Sequence, residues 1–516
     1  MLDLAIVLIY FIVIFLTAVS GRTKGKVTAE EYFLSNRSLR WPSIALSTIA
    51  TNVQGYQFLG MMGSAYLFGL AQASLEINAM QGILIAAFVF VPLYLKEKVI
   101  TITQFIRTRM GSKVALAYTL ANITLFSTIT LGAALFWGAY AADLVFEEYL
   151  SVIHEDRLIR ISILILGLGV FSAIYTYLGG LAAVVKTDII QFSILFAGGA
   201  AVLFVSVFHL GGWGALYDLT GDRMHLHLPA DHEKLPWIHM FGLFLLNINY
   251  WCANQTVMQR SLAAKNLKEA QIGLMVGGVM KYLMAVIIVV PGIALYGILK
   301  DQGGLQDPDM AFPYLVSNYL PVGVQGLVLC ALFASLMSTV DSTFNSLATL
   351  WSIDIYKHYI KPHADDNEVV QAGRYTILIT FITGVTMGLI LLYLKFNNPE
   401  ASFTHTLNEL RYYINCGIVV LICGAALLIA PSHRWSLVSF MSTLPLHLII
   451  LHNFPDMNYF VRAMWVIIMA FIGLVIMSYK GGFRSWSQLI QVASPNVGKI
   501  GIGLGASLVL LHIVFH

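Results

Sequence analysis

Ser335, Ser338, Thr339 and Ser342 follow one another at i, i+3, i+4 and i+7 inside an apolar run, which sets four hydroxyls on one helical face. Neutral oxygens are ligands for a hard cation. Without several carboxylates beside them they match a monovalent ion such as sodium better than calcium. The same spacing also serves close packing of small residues between helices. A second cluster, Thr51-Asn52-Val53-Gln54-Gly55-Tyr56-Gln57, interrupts another apolar run with amides, a glycine and a tyrosine. Such residues either break the helix and free backbone carbonyls, or form a polar packing face. A third cluster, Asn247-Ile248-Asn249-Tyr250-Trp251 followed by Asn254-Gln255, repeats the interruption in a later run. An interfacial aromatic belt is the alternative there, although Asn247 and Asn249 lie deep in the run. Glu76, Asp188, Lys281 and Asp341 complete the set, each in or at the head of an apolar segment, where a charge facing lipid is costly. Glu76 and Lys281 either pair with each other or hydrogen-bond hydroxyls of a polar ligand.

The elements that carry these groups must be membrane helices. Of the 516 residues 58% are hydrophobic and only 11% charged, against roughly 45–50% and about 25% in soluble domains. Reading for runs of about 20 apolar residues gives about fourteen spans, near 2–20, 42–70, 77–97, 114–142, 158–182, 186–209, 236–255, 272–298, 319–350, 373–395, 404–430, 433–453, 458–478 and 498–515. The fold class expected is an all-α integral membrane protein, a single transmembrane domain in the lipid bilayer of the plasma membrane. The first run resembles a secretory signal only in Ala18-Val19-Ser20; with Asp3 and no basic residue ahead of it, it reads as a retained helix. About two thirds of the Lys and Arg residues fall in alternate loops, which makes those loops cytoplasmic and places both termini outside.

Several functions are excluded. A net charge of +3 gives no footprint for nucleic acid. Cys252, Cys330, Cys416 and Cys423 form no C-x-x-C pair. No P-loop and no hydrolase motif is present, so direct nucleotide drive and enzymatic hydrolysis are not expected, nor is an organic cofactor. Paired interruptions, each opening a group of five spans, point to an inverted repeat with a midplane site, with repeats over 42–209 and 236–430, an extra helix over 1–20 and C-terminal helices over 433–516. Such a protein is a transporter.

Motifs then make the chain recognisable. Glu31-Tyr32-Phe33-Leu34, Gln57-Phe58-Leu59-Gly60-Met61, Tyr177-Leu178-Gly179-Gly180-Leu181, Val184-Val185-Lys186-Thr187-Asp188, Asn249-Tyr250-Trp251, Gln259-Arg260-Ser261-Leu262 and Pro291-Gly292-Ile293-Ala294 occur in one order. The chain resembles the sodium/solute symporter family of the sodium–glucose cotransporter type, with a likeness to its bacterial sodium/galactose symporters from about residue 1 to residue 430. The resemblance implies a LeuT-like core of two inverted five-helix repeats and symport of a small solute with sodium. It implies sodium ligands at Ala50, Val53, Ser335, Ser338 and Thr339, and solute contacts at Asn52, Gln57, Glu76, Asn247, Tyr250 and Lys281, with Asn408 standing for a glutamine. Leu75 and Thr404 replace two outer-gate aromatics, and Glu409 and Arg411 add charges near the mouth. The expected solute is a sugar, polyol or sugar-like molecule; the alternative is an amino or organic acid, including sialic-acid-like solutes, with Arg411 as carboxylate partner. Likeness to sialic-acid-transporting members implies a second sodium at Asp188, Ser338, Asp341 and Ser342. The added carboxylate at Asp341 could instead share a proton with Asp188, or pair with Lys186 or another basic group.

Overall fold

A computed structural model describes residues 2–20, 27–55, 57–232, 234–398, 403–478 and 481–516; the side chains of 403–406 and 408 lie outside the described set. Long apolar runs in lipid must satisfy every backbone N–H and C=O internally, and helices do so locally. The described residues are accordingly helical, and only three isolated bridges and no strand occur among them.

Eleven described segments are long and apolar enough to cross a membrane, against the fourteen or so expected. The difference has physical causes. Arg157–Leu210 is one helical run of 54 residues, about 80 Å if straight, more than twice the roughly 30 Å hydrocarbon core. It is kinked at Gly180, where φ is 56° and ψ −150°. Two further expected spans are broken into pieces. Trp41–Asn52 is followed by Gln57–Met61 and Met62–Phe68, and His239–Ile248 by Asn249–Ala253 and Gln255–Leu262.

Gly180 lets the chain turn where another residue would not. Its φ is left-handed, and a Cβ would lie 2.5 Å from the Tyr32 carbonyl oxygen. Gly180→Ala should therefore destabilise the protein by about 1–3 kcal/mol from backbone strain alone, and further through displacement of Tyr32. A thermal unfolding midpoint equal to wild type in detergent would refute this.

The centre of the bundle is Val324–Ile360, of which 94% of the most apolar window is buried, while Pro495–Val514 at 17% is peripheral. The first helix, Leu2–Ser20, is anchored to that centre. Asp3 is buried, and its Oδ1 accepts the Gly323 and Gly326 backbone N–H groups at 2.8 and 2.6 Å, capping Val324–Thr349. The residue that argues against a signal sequence is thus a helix cap supplied from another helix.

Candidate functional site

Trp41–Asn52 stops where Val53 leaves helical geometry, at φ −79° and ψ 111°. The Gln54 N–H would close the next turn onto the Ala50 carbonyl, but it donates to Gln57 Oε1 at 2.9 Å. The side chain of Gln57 thus holds the break open. Opposite it runs Val324–Thr349, buried along almost its whole length. Ser335 Oγ donates to the Val53 carbonyl at 2.7 Å. Thr339 Oγ1 reaches the Thr51 carbonyl at 3.3 Å and the Ser335 carbonyl at 3.1 Å. Of the expected cation ligands, Ser335, Thr339 and Val53 come together here, with Ala50 buried on the same helix end. Ser338 does not join them; its hydroxyl donates to Asp188 Oδ1 at 2.5 Å. Thr51, which the sequence reading did not assign, adds its carbonyl.

One turn further along, Arg260 dominates. Its Nη2 meets Asp188 Oδ2 at 3.1 Å, with both side chains fully buried. Its Nε donates to Ser47 Oγ at 3.0 Å, and Nη2 also contacts Ser342 Oγ. Ser47 Oγ in turn donates to Asp188 Oδ2 at 2.5 Å, and Ser342 Oγ lies 2.8 Å from Thr51 Oγ1. The expected second-ion set is only partly gathered. Asp188 and Ser342 contact a guanidinium and Ser338 reaches only Asp188, while Asp341 Oδ2 accepts from Tyr175 OH and its Oδ1 has no hydrogen-bond partner among the described residues. Lys186 is not its counter-ion, since its ammonium contacts the Ser20 carbonyl at 3.4 Å. Arg260 was missed because Asn254 looks like the end of a span. The helix in fact restarts at Gln255 with Asn254 as its N-cap and stays buried through Leu262.

Above the break lies a cavity of about 420 Å³. Asn52, Gln57, Glu76, Asn247, Tyr250 and Lys281 all line it, so six residues from four separate stretches of chain converge. Asn408 falls outside the described side chains. Lys281 Nζ pairs with Glu76 Oε2, and Gln57 Nε2 donates to Glu76 Oε1 at 2.9 Å. Asn247 Nδ2 donates to the Asn78 carbonyl at 3.1 Å. Tyr250 stands edge-on to Trp251, with ring centroids 5.3 Å apart. The two readings of Glu76 and Lys281 therefore coexist: they are an ion pair, and they face a cavity. Arg411, Leu75 and Met61 line the same space. Glu409 instead pairs with Arg462. A self-neutralised pair flanked by amides offers several donors and acceptors without net charge, which matches a hydroxyl-rich neutral solute better than an ion.

Known proteins place this geometry in context. The model of the sodium:solute symporter family matches residues 32–399. A sodium/glucose cotransporter of Vibrio parahaemolyticus is 34% identical over 391 residues, covering 70% of each chain. A sodium/myo-inositol cotransporter 2 of Oryctolagus cuniculus is 30% identical over 417 residues, 74% of this chain; the chain spans only 60% of that relative's length. A solved structure of a Na+-coupled sialic acid symporter in a substrate-bound outward-open state superposes with a TM-score of 0.79 at 18% identity, covering 93% of this chain and 98% of that one. At that identity the likeness establishes the fold alone, and it is the fold expected. On the extent of the family match and the Vibrio relative, the chain belongs to the sodium:solute symporter family and is a membrane transporter, not an enzyme.

Proposed function

We propose that the protein couples inward sodium movement to uptake of a neutral polyhydroxylated solute, a sugar or cyclic polyol, by alternating access. The observation that carries this is the shared helix break. Its carbonyls at Thr51 and Val53 meet Ser335 and Thr339, while Asn52 and Gln57 beside them line the cavity. Sodium held by Ala50, Val53, Ser335 and Thr339 would fix the backbone that aims Asn52 and Gln57. Ion and solute then favour the same conformation, which is what coupling requires. Glu76, Asn247, Lys281 and Asn408 bind solute hydroxyls, and Tyr250 covers the ring. The sodium/glucose and sodium/myo-inositol relatives support that solute class.

A second ion at Asp188, Ser338, Asp341 and Ser342 would compete with Arg260 for Asp188 and Ser342, so we assign one sodium per cycle. The outer face is taken to be the one carrying both termini, opposite the basic loops, in the plasma membrane. Arg411 at the cavity wall favours the second reading, an organic or amino acid held by its carboxylate.

Uptake by proteoliposomes of labelled glucose, galactose, myo-inositol, sialic acid and amino acids, with sodium or choline outside, decides between these. Saturable, sodium-dependent uptake of a sugar or polyol is expected, and acid uptake alone would select the second reading. In the same assay the wild-type sodium curve should have a Hill coefficient near one. Thr339→Ala should shift that curve to higher sodium by about tenfold, the loss of one liganding oxygen at about 1.4 kcal/mol. A coefficient near two that falls in Asp341→Ala would restore the second ion.

A further inference from the structure

The peripheral C-terminal helix carries chemistry that the transport site does not use. His512 Nδ1 lies 3.2 Å from His227 Nε2, and His512 Nε2 lies 3.1 Å from Asn78 Oδ1. The orientation of the Asn78 amide is set by its neighbours: its Nδ2 donates to the Ser74 carbonyl at 2.9 Å, and its Oδ1 accepts from Gln81 Nε2 at 3.0 Å. Asn78 Oδ1 is an acceptor, so His512 Nε2 carries the proton. Neutral His512 therefore presents a bare Nδ1 lone pair to His227.

His227 is held just as firmly. The ring of His516 stacks on it at 5.0 Å, the Leu226 N–H donates to the Phe515 carbonyl at 2.7 Å, and His225 Nδ1 lies 2.7 Å from the His516 carbonyl. The uncharged His227 ring carries a single proton, on Nε2 where it faces His512. Moving its proton from Nε2 to Nδ1 turns a second lone pair into the gap. Two imidazole nitrogens on one tetrahedral zinc, each at about 2.0–2.1 Å, stand roughly 3.3 Å apart. The observed separation is already that distance. A cavity of about 580 Å³ lined by Gln81, His512 and His516 together with Leu508, Val509 and Ile513 borders the His512 side of the pair.

We infer that His227 and His512 form a binding site for a divalent transition metal of the zinc type, and that its occupancy inhibits transport. Among the described residues no three His, Cys, Asp or Glu side chains converge as a cage, so the site is two nitrogens completed by water. Asn78 is its outer partner, orienting His512 as carbonyl acceptors orient metal-binding imidazoles. The same residue's backbone carbonyl holds Asn247 at the solute cavity. Metal that pins His512 and Asn78 thus pins Asn247. The inhibitory half rests on the transport reading above; the binding half does not.

The test uses the purified full-length protein. Zinc titration by calorimetry should show one site at micromolar zinc, and cobalt(II) should give a tetrahedral d–d absorption band displaced by zinc. His227→Gln and His512→Gln should each weaken zinc binding by at least about tenfold, the scale seen when a metal-site group is lost. Affinity should fall as the pH drops below about 6, where imidazoles protonate. In sided proteoliposomes, zinc should slow wild-type uptake only from the face bearing residues 225–227, and His227→Gln should transport normally without zinc inhibition. Wild type that binds no zinc, or both variants binding it like wild type, would overturn the site. Zinc binding with unaltered uptake would overturn the inhibition, and zinc binding with no uptake of any solute would fault the transport reading instead.

Discussion

Arg260→Ala should give a protein that folds poorly and does not transport. The arginine and Asp188 are both fully buried, and removing one partner leaves the other charged and unpaired in the bundle core. Breaking such a pair costs about 3–5 kcal/mol, a large part of the stability of most domains. Ser47 and Ser342 lose their contact in the same step. The double variant Arg260→Ala/Asp188→Asn should recover most of the thermal stability, because a neutral amide replaces the stranded carboxylate and can still accept from Ser338. Comparing the two midpoints separates charge pairing from simple packing. If the double variant is no more stable than the single, the pair is not what holds this region together.

Glu76→Ala should cost the solute site about ten- to hundredfold in affinity while leaving sodium activation nearly unchanged. The carboxylate engages Lys281 and Gln57 at once, and losing one charge-assisted hydrogen bond costs about 1.5–3 kcal/mol. Gln57 has a second duty, since its Oε1 holds the break through Gln54; the alanine at position 76 frees its Nε2 but leaves that bond in place. Glu76→Gln keeps the shape, loses the charge and should fall between alanine and wild type. Solute binding at saturating sodium measures the effect. Wild-type affinity in Glu76→Ala would remove this residue from the solute contacts.

The parts of this architecture readable from sequence are those written in local periodicity. The hydroxyl face of Ser335, Thr339 and Ser342 follows from helical spacing, and the break after Asn52 from amides in an apolar run. Pairings across the fold are not written locally. Glu76 and Lys281 lie 205 residues apart; their buried charges offered a pair as one of two readings, and the resemblance set both among the solute contacts. Ser338 shares the helical face of Ser335, yet a short hydrogen bond to Asp188 draws it to a different cluster. Asp341 does lie within electrostatic range of Asp188, as expected, but a tyrosine from another helix rather than a lysine engages its carboxylate. Arg260 stayed hidden because a helix that restarts after a polar break resembles a loop until its burial is known.

A guanidinium fixed beside Asp188 also bears on how steep a concentration difference the protein can sustain. Arg260 and Asp188 travel with the protein and cancel each other, so under the coupling proposed above a single sodium is the only mobile charge when the solute is neutral. A membrane potential of 100 mV then contributes about 2.3 kcal/mol per cycle, equivalent to roughly fiftyfold accumulation of solute. A tenfold sodium gradient adds about 1.4 kcal/mol and raises the ceiling to roughly five-hundredfold. A carrier whose arginine gave way to a second sodium would square that ratio and spend two ions on every molecule of solute. With one sodium per cycle, as proposed, the arginine goes with the lower of the two ceilings and the smaller outlay of ions per molecule of solute.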